Sequence, residues 1–263
     1  MQEAEAAQHG LRLHYQLIDL DVARRSSADL PMLLDAAQAM GFAGLNITYP
    51  CKQAIIPLLD GLSDDAQAMG AVNTVVFRDG ARIGHNTDGS GWSWGFRRAL
   101  PDAGLERVVL LGAGGAGSAI AHAVLQLGAG QLRVVDTDPL RQAELVRRLA
   151  LRYGQRVVEG QALEPALADA TGLIHATPTG MAKMPGLPVP ADLLRPSLWV
   201  SEVVYFPLET ELLAAARARG CAVADGGSMA VGQAVRAFEL FTGRQAEASR
   251  MEAHFRRLVS GGH

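Results

Sequence analysis

The sequence predicts an α/β fold in two domains built on mainly parallel sheets. Strand-like and helix-like segments alternate along almost all of the 263 residues, which is typical of parallel strands joined by crossover helices. The chain is long enough to form two cores of ordinary size. Near its middle, an apolar strand leads straight into a glycine-rich turn and a helix, an arrangement that also favours this class.

The first domain is predicted to begin with a helix. Residues 1–9 (MQEAEAAQH) have a helix-favouring composition but no capping residue and no strand ahead of them. We expect either a frayed terminal helix or a chain that starts one strand and one turn late. A hairpin is expected around Asp79-Gly80. The remaining predicted elements are a helix over 30–40 and strands over 11–18, 43–47, 72–77 and 82–85.

The second domain follows a helix over 90–100 and the polar linker 101–106. Its strands are expected at 108–111, 132–135, 157–158, 173–175, 198–203 and 222–224. Residues 229–258 then form one or two helices that return to cover the first domain. The predicted boundaries are 1–88 and 229–263 for the first domain and 89–228 for the second.

The composition narrows the range of partners. A formal net charge of -3 and a pI near 6.2 offer no basic surface for phosphates, so we expect a small-molecule substrate and no nucleic acid. The two cysteines, Cys51 and Cys221, lack ligand spacing, which predicts no metal site and a cytoplasmic protein. No apolar run approaches the roughly 18 residues that cross a bilayer, and residues 1–10 lack a signal pattern, so no membrane partner is expected. A monomer and a homodimer both remain open.

Three glycines follow the apolar strand at the spacing G-x-G-x-x-G. Gly112 permits the tight turn, Gly114 lets the backbone approach a pyrophosphate, and Gly117 lets the next helix pack close to the strand. The amino end of that helix offers unpaired N–H groups to phosphates. This context predicts a Rossmann-like domain, although glycines that serve packing alone are the alternative. The run expected at the dinucleotide is Gly112, Ala113, Gly114, Gly115, Ala116 and Gly117.

Asp136 ends the next strand, about 20 residues beyond Gly117, where a carboxylate can accept hydrogen bonds from the adenosine ribose. The same charge would repel the 2′-phosphate of NADP, so NAD is favoured. Arg141 means that NADP is not excluded as the cofactor, because arginine near this position is common in NADP binders. Arg141 could equally be a solvated helix charge or stack on the adenine.

Polar segments at the ends of predicted strands mark a second site, and they span 46–52, 71–74 and 86–89. Hydride transfer from a secondary alcohol requires a group that takes the hydroxyl proton. A lysine in water, with a pKa of about 10.4, is a poor base at neutral pH; desolvation lowers that value, and a nearby carboxylate fixes the orientation. Lys52 and Asp88 are the natural pair, whereas either one alone would be read as a surface charge or a cap.

These segments resemble the hallmarks of the shikimate dehydrogenase family, which are N-[VI]-T-x-P-x-K, A-V-N-T and N-T-D-G. The resemblance continues through GAGGA at 112–116, A-T-P-x-G-M at 176–181, V-x-Y-x-P-x-x-T at 203–210 and D-G-x-x-M-x-x-x-Q at 225–233. It implies reversible oxidation of the 3-hydroxyl of shikimate or quinate to the 3-dehydro acid. The segment V-D-T-D at 135–138 replaces the N-R-T-like segment of NADP-dependent members and resembles the NAD-dependent quinate/shikimate dehydrogenase branch.

The resemblance also implies roles for individual residues. Lys52 and Asp88 look like the catalytic pair. The residues that resemble the family's substrate ligands are Thr48, Asn73, Asp88, Tyr205 and Gln233. Beyond the glycine run, Asp136 and Arg141, the residues that resemble its cofactor cleft are Thr177, Pro178, Val203, Tyr205, Gly227 and Met229.

Two departures from the family pattern accompany this resemblance. The family normally opens with a strand and a Ser-x-Ser or Ser-x-Thr turn that holds the substrate carboxylate. Neither is present here, and residues 1–19 resemble the helix that follows that turn in the family. Either the recorded start is too late or the chain is a shortened member. A shortened member could act on another substrate, such as an aminoshikimate, or be a weakly active nucleotide-binding regulator. Glu202 stands where many relatives have aspartate and is assigned no function.

Other residues that attract attention are expected to serve the fold. Packing is the predicted role of Cys51, Trp92, Trp94 and Phe96. The histidines that lack ligand spacing, and are assigned no chemistry, are His85, His122 and His175.

Overall fold

The computed structural model describes residues 1–260 and divides the chain into two compact units. The first unit is formed by Met1–Thr87 together with the chain from Gln233 onward, and the second by Asp88–Gly232. Each unit has its own sheet. None of the helices in the described part of the chain is both long and apolar enough to cross a bilayer.

The first unit contains a four-stranded sheet in the order β1-β3-β4-β2. Its strands are β1 (Gly44–Asn46), β2 (Gly61–Leu62), β3 (Thr74–Arg78) and β4 (Ala81–His85). Its helices are α1 (Gln2–Gln8), α2 (Leu30–Ala39), α3 (Cys51–Ala54), α4 (Asp64–Met69), the later part of α10 (Gly226–Thr242) and α11 (Ala248–Ser260). The core between α2 and the sheet is built on Leu34, Ile55, Val72 and Val75, whose side chains are fully buried.

This sheet is mixed, which corrects the expectation of a mainly parallel sheet in the first domain. β3 pairs antiparallel with both β1 and β4, and only β2 and β4 are parallel. The reason lies in the predicted hairpin: Asp79 and Gly80 both have positive φ, 53° and 81°, as a two-residue turn between antiparallel strands requires.

The strand predicted over 11–18 is wrong. The described backbone there is irregular, and alternate side chains such as Leu17, which is 74% exposed, face solvent. An alternating pattern forms a strand only where a neighbouring strand accepts its backbone hydrogen bonds. Instead, the Tyr15 backbone N–H donates to Glu3, and the Tyr15 hydroxyl donates to Asn46.

Helix α1 is docked within the first unit, so the prediction of a helix at residues 1–9 is confirmed and the frayed alternative is wrong. The Glu5 carboxylate is buried and accepts hydrogen bonds from the Arg250 guanidinium at 2.6 and 2.7 Å and from the Glu247 N–H at 2.8 Å. The Gln2 amide donates to the Ala234 carbonyl. The terminal helices therefore fold with the start of the chain, as predicted.

The second unit contains a six-stranded sheet in the order β10-β9-β8-β5-β6-β7, parallel throughout. The strands are β5 (Arg107–Leu111), β6 (Gln131–Val135), β7 (Val157–Glu159), β8 (Gly172–His175), β9 (Trp199–Glu202) and β10 (Val223–Ala224). The helices are α5 (Asp88–Ala99), α6 (Gly115–Gln126), α7 (Pro139–Tyr153), α8 (Leu163–Leu167), α9 (Glu211–Ala218) and the start of α10.

Both faces of this sheet are covered. On β5, Val108 and Leu110 belong to one apolar cluster, whereas Val109 and Leu111 belong to the other. A central parallel strand buried on both faces reads as the continuous apolar run seen here. The strand order reverses at β5, whose neighbours are β6 and β8, and ligands of such sheets bind beyond the carboxyl ends of the strands at this point. The predicted α/β class with a Rossmann-like unit is confirmed.

The Glu5 ion pair predicts a loss of stability in acid. Hydrogen bonds from Arg250 and from the Glu247 amide lower the pKa of Glu5 from 4.5 to about 2. Because the folded pKa lies below the unfolded value, the stabilisation is complete above pH 4.5 and is lost as the pH falls toward 2. Allowing for the exposure of Arg250 to solvent, we expect the stability lost in acid to be about 2 kcal/mol. It is measured as the decrease in the free energy of unfolding in urea from pH 7 to pH 3.

The Glu5→Gln variant should lose this stability at pH 7 and show a weaker dependence on pH. Glu3→Gln, an exposed carboxylate on the same helix, is the matched control. Equal pH dependence in wild type and Glu5→Gln would contradict the assignment.

Candidate functional site

The turn between β5 and α6 requires glycine at two positions. Gly112 has a φ of +107°, and a Cβ there would lie 2.7 Å from the Ala176 carbonyl oxygen. A Cβ on Gly117 would lie 2.0 Å from the Gly112 carbonyl oxygen, far inside van der Waals contact. These two glycines therefore bring α6 against the start of the turn, as the sequence predicts for the first and third positions of the motif.

Gly114 differs from these two glycines because a Cβ there would meet nothing within 4 Å. It is the N-cap of α6, and no side chain caps this helix end. Gly115, Ala116 and Gly117 form the first turn, where N–H groups have no partner within the helix. Open space in front of an uncapped helix N-terminus suits a phosphate group.

Asp136 lies at this turn, just past the end of β6. One carboxylate oxygen accepts a hydrogen bond of 2.6 Å from the Ala113 N–H, and the other accepts one of 2.8 Å from the Asp138 N–H. Two backbone amides thus hold the carboxylate beside the glycine loop. Asp138 caps α7 by accepting from Leu140 and Arg141, and the Arg141 guanidinium lies 3.6 Å from Asp138 on the protein surface.

Thr177, Pro178 and Val203 follow the carboxyl ends of β8 and β9. Both strands end in a buried ionisable residue, His175 on β8 and Glu202 on β9, and the two side chains are hydrogen bonded at 2.9 Å. Sequence reasoning missed this pair. The signal available was an ionisable residue closing each of two apolar segments predicted to be parallel strands.

Three further residues of the predicted cofactor cleft belong to the second unit. Tyr205 is 49% exposed in the loop after β9. Gly227 lies in the first turn of α10, and its N–H donates to the Asp225 carboxylate at 2.9 Å. Met229, one turn on, is buried in the larger apolar cluster. Asp88, at the start of α5, is 1% exposed.

In the first unit, the structure brings Asn73 and Gln233 together. The buried Asn73 side chain donates to Gln233 at 3.3 Å and to the Thr87 hydroxyl at 3.0 Å, and it accepts from the Thr87 N–H at 2.8 Å. Two predicted substrate ligands therefore share one polar cluster, although they lie far apart in the sequence.

Lys52 and Thr48 flank the turn that follows β1. Lys52 lies in the first turn of α3, and its carbonyl accepts a hydrogen bond of 2.8 Å from the Val72 N–H, next to Asn73. Thr48 is exposed, and its hydroxyl lies 3.4 Å from the Tyr49 carbonyl. The backbone thus holds α3 beside the segment that carries Asn73.

Three of the four residues assigned to packing, Cys51, Trp92 and Phe96, are in the core, whereas Trp94 is half-buried under the Arg98 guanidinium. Cys51 is buried in the first apolar cluster, and burial raises the pKa of its thiol. Trp92 stacks on Phe96 at 4.7 Å between ring centroids and donates to the Ser201 hydroxyl. Within residues 1–260, no group of three or more His, Cys, Asp or Glu side chains is placed to hold a metal ion.

The comparisons with known proteins identify the family of the chain. Residues 1–75 match the family model of the shikimate dehydrogenase substrate binding domain, and residues 228–254 match that of the shikimate 5'-dehydrogenase C-terminal domain. The chain is 56% identical to a shikimate dehydrogenase (NADP(+)) of Streptomyces avermitilis, over 98% of this chain and 90% of that protein. It is 46% identical to a quinate/shikimate dehydrogenase (NAD(+)) of Corynebacterium efficiens, over 97% and 91%.

A solved structure agrees with the fold as well as with the sequence. Quinate dehydrogenase from Corynebacterium glutamicum in complex with NAD superposes with a TM-score of 0.91 at 46% identity, covering 98% of this chain and 93% of that one. Sequence identity and fold thus lead to the same conclusion: the chain belongs to the shikimate dehydrogenase family.

Proposed function

We propose that this chain catalyses the reversible oxidation of the 3-hydroxyl of shikimate or quinate to the 3-dehydro acid, with NAD favoured over NADP. The observation that carries the proposal is the Asp136 carboxylate held beside the open N-terminus of α6, in a member of this family. The relatives differ in cofactor: the Streptomyces avermitilis protein is named for NADP and the Corynebacterium efficiens protein for NAD.

A dinucleotide fits the residues present. The space in front of Gly114 and the N–H groups of the first turn of α6 would hold the pyrophosphate. Each oxygen of a carboxylate has two lone pairs, so Asp136 can hold the loop amides and still accept from a ribose hydroxyl. When bound, NAD supplies the acceptor for the hydride that leaves the substrate carbon.

The substrate side supplies the acid and base. We assign the transfer of the hydroxyl proton to Lys52, whose neutral amine takes the proton during oxidation and whose ammonium form returns it during reduction. We assign the orientation of the Lys52 side chain to Asp88. Both assignments rest on the family motifs that the two residues occupy. Asn73 and Gln233 offer an amide cluster that can hold ring hydroxyls, and Thr48 an exposed hydroxyl.

Replacement of Lys52 by methionine should abolish proton transfer while leaving dinucleotide binding intact. We expect kcat with shikimate or quinate to fall by about 100-fold or more, since a positioned acid–base group contributes that much. Lys183→Met, which changes the only other lysine of the chain at an exposed position, is the matched control. A Lys52→Met enzyme with wild-type kcat would refute the assignment.

The Gly114→Ala variant should separate binding from packing. A Cβ there meets no protein atom within 4 Å, so we expect stability to fall by less than about 1 kcal/mol, whereas the dissociation constant for NAD rises about tenfold or more. Gly117→Ala, whose Cβ would overlap the Gly112 carbonyl, should lose about 3 kcal/mol of stability as well. Calorimetric titration and urea unfolding measure the two effects. Unchanged NAD affinity in Gly114→Ala would leave the glycines a packing role alone.

The Asp136→Asn variant tests cofactor choice. Removing the negative charge should raise KM for NAD and lower KM for NADP, so that the ratio of kcat/KM values shifts toward NADP by about tenfold. Asp138→Asn is the matched control because asparagine preserves the N-cap of α7 while removing a nearby charge. If the ratio moves equally in both variants, the discrimination does not come from Asp136.

A further inference from the structure

His175 and Glu202 form a hydrogen-bonded pair in which both side chains are 0% exposed. They are register partners at the carboxyl ends of the parallel strands β8 and β9. A buried pair of this kind gains little stability over apolar residues of the same size, because both groups must be taken out of water. Its presence at this edge of the sheet therefore calls for a role beyond stability.

The Glu202 carboxylate binds the loop that leaves β9. One oxygen accepts from the Val203 N–H at 2.7 Å and the Val204 N–H at 2.9 Å, and the other accepts from the Thr210 hydroxyl at 3.0 Å. Both oxygens lie within 3.0 Å of His175 Nδ1. A carboxylate that accepts from all of these groups requires His175 to carry its proton on Nδ1.

The tautomer of His175 decides whether the Thr177 hydroxyl donates or accepts in the hydrogen bond between the two side chains. His175 Nε2 lies 2.5 Å from the Thr177 hydroxyl oxygen. With the proton on Nδ1, Nε2 of the neutral ring is an acceptor, so the Thr177 hydroxyl donates to it. The same oxygen accepts from the Thr179 N–H at 3.3 Å. The hydroxyl is thus held inward, toward the sheet, and fixes the start of the loop after β8.

We propose that Glu202 and His175 are positioning residues for dinucleotide binding. Together they fix the two loops that carry Thr177, Pro178 and Val203, and they set the direction in which the Thr177 hydroxyl donates. This inference rests on the proposed function for its ligand, because it deepens the assignment of these three residues to the cofactor cleft. The chain of hydrogen bonds from Glu202 through His175 to the Thr177 hydroxyl, which we call the relay, can be observed in the protein without any measurement of activity.

The Glu202→Gln variant reverses the relay with almost no change in size. The glutamine oxygen can keep the two backbone amides, which places its NH2 group toward Thr210 and His175 Nδ1. Nδ1 must then accept, the proton moves to Nε2, and Thr177 becomes the acceptor. We expect 15N spectra of histidine-labelled protein without ligand to show the Nδ1–H tautomer in wild type and the Nε2–H tautomer in Glu202→Gln.

In steady-state kinetics, Glu202→Gln should raise KM for NAD about tenfold and change kcat by less than about threefold. Thr177→Val removes only the hydroxyl and should raise KM for NAD in the same direction. Thr171→Val is the matched control: Thr171 lies at the opposite end of β8, where its hydroxyl donates to the Arg107 carbonyl, and KM should stay at the wild-type value.

The outcomes separate this inference from the proposed function. An unchanged His175 tautomer in Glu202→Gln, or KM for NAD within about twofold of wild type in both Glu202→Gln and Thr177→Val, overturns the relay even if the wild type turns over normally. If Glu202→Gln does not fold, Thr177→Val decides the kinetic test and the wild-type spectrum decides the tautomer. A wild type with the Nδ1–H tautomer but no NAD binding in calorimetry defeats the proposed function instead.

Discussion

The close contact between Gly117 and the Gly112 carbonyl is the constraint on which the nucleotide unit depends. Any side chain at Gly117 would occupy the same space as that oxygen, so only glycine lets α6 start directly against the end of β5. Once the helix lies there, its uncapped N-terminus opens at the carboxyl edge of the sheet, and the Ala113 amide comes within reach of Asp136. The cofactor side of the proposed site follows from this packing.

The same edge of the sheet is organised by polar side chains at or just past the ends of strands. Asp136, after β6, holds two loop amides, and Glu202, at the end of β9, holds two more. Buried amides must find acceptors, and a carboxylate that supplies them also stiffens the loop. Loops held in this way are prepared for a ligand before it arrives, which lowers the entropic cost of binding.

Much of the fold could be predicted from local patterns, and the failures have local causes. The strands and crossover helices of the second unit stand where apolar runs and helical periods place them. The segment 11–18 has a strand pattern but no strand beside it, and the hairpin at Asp79-Gly80 makes its neighbours antiparallel. In both cases the error concerns pairing, which depends on what lies next to a strand and not on the strand's own residues.

The sequence by itself determined the glycine turn, the family motifs and the residue types at the proposed site, because these depend on short spacings within one strand, turn or helix. Only the tertiary structure decided which distant groups meet: Asn73 with Gln233, and His175 with Glu202. Those contacts depend on strand order and on the return of the C-terminal helices to the first unit. Strand order is set by the packing of whole elements, so a buried ionisable residue in the sequence shows its partner only after the chain has folded.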